Sequence, residues 1–142
     1  MRHVRMGAER RLRYRPRMRR GLLKDLANTP TQIACGWRLY GDLPRLRKMT
    51  GSTVIVDLLS GDCSVDGREL LPSLEIAAEA SRWLQDRLQR DGVPAGTVRT
   101  AQLKLSLRED EGGHLVVDCA TELDTESRIY ESRDTTRWHP GD

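Results

Sequence analysis

The sequence predicts an α+β domain in which a mostly antiparallel sheet of about five strands packs against one long helix. Three observations carry this expectation. Residues 72–91 show the apolar period of a long helix, the segments around them alternate with the period of half-buried strands, and the elements fall in an order that segregates helix from hairpin. The chain reads as short helix, strand, short helix, two strands, long helix and a two-stranded hairpin.

Residues 1–20 form a separate basic arm. They hold nine Arg against the single acid Glu9, a net of +8, while residues 21–142 hold 15 Lys plus Arg against 20 Asp plus Glu, a net of −5. With so little apolar surface to offset the entropy of ordering, the arm is expected to be disordered. Arg10, Arg11, Arg13, Arg15, Arg17, Arg19 and Arg20 are the candidates for binding a polyanion such as nucleic acid, by phosphate pairing without base readout. A solvated tail without a dedicated partner, or a chain that begins at Met6 or Met18, are the alternatives.

Within the expected domain, residues 21–131, Gly21 to Asn28 suit a short helix with Leu22, Leu23 and Leu26 inward, closed by Thr29-Pro30. Ala34 to Tyr40 reads as a strand with Trp37 and Leu39 on one face. Asp42 suits the N-cap of a short helix near 43–50. Thr53 to Leu59 is the most apolar strand, followed by turns at Ser60-Gly61-Asp62 and Asp66-Gly67. Asp57, Asp62 and Asp66 lack calcium-loop spacing, and turn chemistry explains Asp62 and Asp66.

In the long helix, Pro72 suits the first position and Asp91-Gly92-Val93-Pro94 the stop. Leu74, Ala77, Ala78, Ser81, Leu84 and Leu88 share a face that Ile76, Ala80 and Trp83 widen. Trp83 lies at its border, as a core anchor or as a contact for a protein partner. In the hairpin, a loop over Glu109 to Gly113 pairs Leu107 with Leu115, Leu105 with Val117 and Leu103 with Cys119, and sets Lys104 opposite Asp118. The return strand can extend to Tyr130, with Asp118, Glu122, Asp124 and Glu126 outward. That acidic strip is either a solvated, guarded sheet edge or a docking strip for a basic protein segment, the chain's own arm included. Residues 132–142 read as a frayed tail.

The sequence contains no phosphate loop, dinucleotide fingerprint, zinc-protease motif or nucleophile elbow. His3, His114 and His139 fall in the arm, a hairpin loop and the tail. No enzyme activity, cofactor or metal is therefore expected. Cys35, Cys63 and Cys119 form an odd set without a C-x-x-C, which suits free thiols in a reducing cytoplasm, and no apolar run approaches membrane-spanning length. The element order resembles that of the small class I secretion chaperones, which are acidic α+β dimers; the resemblance is one of order alone and carries over no residue's role. The leading expectation is a non-enzymatic protein-interaction module, adaptor- or chaperone-like and plausibly homodimeric. The alternative is a nucleic-acid-associated protein that uses residues 1–20.

Overall fold

A computed structural model describes residues 20–142; the expectations for residues 1–19 lie outside it. One six-stranded, wholly antiparallel sheet has the order β3-β2-β1-β4-β5-β6. Its strands are β1 (Thr53–Asp57), β2 (Cys63–Val65), β3 (Arg68–Glu69), β4 (Val98–Glu109), β5 (Leu115–Thr125) and β6 (Ile129–Trp138). Helices α1 (Leu22–Cys35), α2 (Leu43–Leu46) and α3 (Glu75–Arg90) complete the fold, with 3-10 turns on either side of α2. Helix α1 lies over β5 and β6, and α3 packs beside α1 and on β1. The core fills the space between helices and sheet, led by Leu26, Leu58, Ile76, Leu84, Leu103, Leu105 and Leu123.

The first helix is longer than its sequence signals. It runs through Pro30 to Cys35, absorbing the expected stop and the start of the expected strand at 34–40, which continues instead as the 3-10 turn Trp37–Asp42. An interior proline costs about 3 kcal/mol through a lost hydrogen bond and a ring clash. Here Pro30, Thr31 and Ala34 are all buried, and their packing outweighs that cost. The Thr29 hydroxyl also donates to Asp25 O at 3.1 Å, within the turn that Pro30 disturbs.

Asp42 caps a helix, but not the adjacent one. Its carboxylate is buried and accepts from the Glu75 and Ile76 amides at 2.9 Å each, so it satisfies two orphan donors at the start of α3. Helix α3 therefore begins at Glu75 rather than at Pro72. The Arg45 guanidinium holds the segment leading into it, through the carbonyls of Pro72 and Ser73.

Hairpin β4–β5 keeps its leucines inward in a register two residues from the expected one. Leu107 faces Val117, Leu105 faces Cys119 and Leu103 faces Thr121. The Asp110 carboxylate explains the shift: it accepts from the Gly112 and His114 amides at 3.0 and 2.9 Å, which fixes the loop at 110–114. An even shift preserves the faces, but Asp118 now opposes Ser106, and Lys104 opposes Ala120.

The return strand ends at Thr125, and the expected tail is strand β6. The two-residue turn Glu126-Ser127 is closed by Thr125 N–H to Arg128 O at 3.0 Å and by the Thr125 hydroxyl, which donates to Arg128 O and accepts from Arg128 N–H. Strand β5 is thus interior, and the acidic strip is not a sheet edge; β6 is.

Candidate interaction surfaces

Among the described residues, the helices cover one face of the sheet and leave the other bare. Because strand side chains alternate, the bare face collects Lys104, Ser106 and Arg108 of β4, Asp118, Ala120, Glu122 and Asp124 of β5, and Glu131, Arg133, Thr135 and Arg137 of β6. Its two ends differ in how their charges are met.

At the loop end the charges are paired. Asp118 receives Arg108 Nε at 3.2 Å and the Thr135 hydroxyl at 2.7 Å. Asp110 receives Arg137 Nε at 3.2 Å and His114 Nδ1 at 3.1 Å, besides its two amides. The His114 backbone N–H is the main cause that holds the Asp110 carboxyl below its usual range. Val116, between Arg108 and Arg137 in register, is buried on this otherwise solvated face, as expected where long basic side chains lay their stems over an apolar neighbour.

At the turn end the charges are unpaired. Glu122 stands directly opposite Glu131, with Gln102 on its other side. Asp124 follows on β5, and Glu126 sits exposed in the turn. None of these four carboxylates has an ion pair or hydrogen bond among the described residues. Of the strip expected from sequence, the structure keeps Glu122, Asp124 and Glu126 together, commits Asp118 to the paired end and adds Glu131. Sequence reading missed Glu131 because the Thr125 turn contains none of the Gly, Pro or Asn that mark hairpins.

Two further places bear on recognition. Trp83 is half-buried against the core, with the Arg87 guanidinium 5.8 Å from the ring centroid, so it borders the core as a packed side chain. Where the chain enters α1, Arg20, Lys24 and Arg128 line a cleft of about 340 Å³ with Leu23 and Tyr130, and Arg128 stacks on Tyr130 at 4.4 Å. Helix α1 starts there behind Gly21, in the left-handed conformation, and no side chain among the described residues caps its first amides.

Among the described residues no group of three or more His, Cys, Asp or Glu could hold a metal ion, and no helix is long and apolar enough to cross a membrane. Asp57 and Asp66 serve turns: Asp57 accepts from the Leu59 and Ser60 amides, and Asp66 from Thr53 N–H. The Thr53 bond is the first cause that lowers the Asp66 carboxyl. Comparison with family models, with curated proteins and with solved structures gave no match.

Proposed function

We propose that this protein is a non-enzymatic protein-interaction module, adaptor- or chaperone-like, that docks a basic protein segment on the acidic end of its bare sheet face. The facing pair Glu122 and Glu131 supports this reading. Like charges directly opposite across a ladder destabilise a sheet, and Asp124 and Glu126 add to the repulsion where a basic partner would relieve it. The Arg-rich arm of a second copy, net +8 over residues 1–20, has the matching chemistry and accounts for a homodimer. Three free thiols favour a reducing, cytoplasmic setting.

The test is fluorescence anisotropy of a labelled peptide with the sequence of residues 1–20, titrated with the full chain and with its Glu122→Gln/Glu131→Gln variant. Binding should weaken several-fold in the variant and with added salt. Equal affinity for parent and variant would refute the acidic end as the docking surface.

The basic cleft at the start of α1 favours a second reading, binding of nucleic acid. Arg20, Lys24 and Arg128 would extend the phosphate-pairing surface of the arm onto the domain. A salt series with a fluorescent oligonucleotide should show steep salt dependence, with a shallower slope for an Arg20→Ser/Lys24→Ser/Arg128→Ser variant. Absence of binding at low salt would end this reading.

A further inference from the structure

Cys35 closes α1 and Cys119 lies midway along β5, on the covered face. One turn of helix away, the buried hydroxyls of Thr31 and Thr121 are 2.7 Å apart and fix the helix against the strand. From Thr31 to Cys35 the helix advances about 6 Å and returns to the same face. From Thr121 to Cys119 the strand retreats by roughly 7 Å and also keeps its face. Helix α1 starts beside Arg128 and Tyr130, at the C-terminal end of β5, and so runs against that strand; the two steps match, and Cys35 comes over Cys119 as Thr31 comes over Thr121. Consistent with this, the Cys35 side chain is the leading cause, ahead of burial, that raises the Cys119 thiol. Cys35 is half-buried, Cys119 is buried, and Cys63 lies in β2 on another part of the core.

We propose that Cys35 and Cys119 form a dithiol site that reacts with small-molecule disulfides and closes to an intramolecular disulfide pinning α1 to β5. The Cys35 thiolate attacks one sulfur of the small disulfide, whose other half leaves as a thiolate and takes up a proton. A mixed disulfide remains on Cys35. Cys119 then gives up its proton, and its sulfur attacks the Cys35 sulfur and displaces the second small thiol. Two protein thiols and one small disulfide become one protein disulfide and two small thiols. The order follows from burial, since Cys35 is half-buried whereas Cys63 and Cys119 are buried in the folded protein.

The site is independent of the docking face and is tested on the folded full chain. The protein is incubated with excess oxidised glutathione, quenched by alkylation and mapped by mass spectrometry without reduction. A monomer lighter by two hydrogens, with one cross-linked peptide joining Cys35 to Cys119 and Cys63 left as a free thiol, is the expected result. Cys119→Ser should stop at a glutathione adduct on Cys35, and the cross-linked parent should unfold at a higher denaturant concentration than the reduced one. A parent chain that keeps a stable adduct on Cys35, forms dimers through it, or pairs Cys63 as readily would overturn the proposal. So would a folded chain that stays unreacted over a period in which the unfolded chain forms disulfides.

Discussion

The two faces of the sheet treat polar groups in opposite ways. Under the helices most polar side chains have a defined partner, the buried Trp138 Nε1 being an exception among the described residues. Asp42 holds two α3 amides, Thr31 meets Thr121, and the Ser81 hydroxyl donates to Leu58 O at 2.9 Å and accepts from Gln85 Nε2 at 2.7 Å. On the bare face, Asp110 and Asp118 are ion-paired at the loop end, whereas among the described residues no ion pair is made at Glu122 and Glu131. A buried donor or acceptor without a partner is costly, whereas an exposed charge is served by water. The covered face therefore has little freedom to carry unmet groups. The bare face does, and an unmet cluster there contributes nothing to folding.

Substitutions and one titration probe this contrast. The largest effect is expected from Asp42→Ala, which strips two amides of their acceptor and should cost about 2 kcal/mol, the upper end of helix capping, read as a lower denaturant midpoint. Thr121→Val leaves the Thr31 hydroxyl only its longer bond to Ser132 O, at 3.4 Å, and should cost up to about 1 kcal/mol. The double variant Thr31→Val/Thr121→Val should recover part of that loss, since it removes both hydroxyls together while Ser132 O gives up only a long bond. On the bare face the sign reverses. Glu131→Lys replaces a facing like pair with an opposite one and should raise stability by about 0.2–1 kcal/mol, while abolishing docking of the arm peptide. The smallest effect is a pH dependence at the loop end. The Asp110 carboxyl is held low in the folded protein, so its stabilising contribution is full above the ordinary aspartate range and fades as pH falls through the lowered value. An NMR titration of Asp110 should give a midpoint below that of an unstructured aspartate, and Asp110→Asn should remove this acid-limb dependence.

Much of the fold was legible in the sequence because periodicity reports which side of an element is buried. The leucine alternation of β4 and β5 and the apolar arc of α3 follow from that alone, and Asp66-Gly67 forms its turn with positive φ at both residues, 49° and 83°. What escaped was decided by partners distant in sequence. Asp42 looked like a local cap because it precedes Leu43-Pro44, yet its carboxylate serves amides 33 and 34 residues onward. Pro30 looked like a stop because the burial that tolerates it comes from strands about ninety residues away, where Thr31 meets Thr121. Strand β6 looked like a tail because its outward residues are Glu131, Arg133, Thr135 and Arg137, with no apolar alternation to betray it. The bare face was half visible: the outward acids of β5 could be read, but not that β6 would bring Glu131 against Glu122.

The strand order β3-β2-β1-β4-β5-β6 also sets a timetable for folding. Each half of the sheet is a meander whose neighbours are joined by short turns, and the halves meet only at β1–β4, where Val54 opposes Leu105. Closing that long loop carries the greatest entropic cost of any pairing in the sheet. The C-terminal meander is therefore expected to form first and the seam last, at the rate-limiting barrier. In a stopped-flow comparison, Val54→Ala should chiefly accelerate unfolding if the seam closes after the barrier, and chiefly slow refolding if closing it is the barrier. The topology favours slowed refolding.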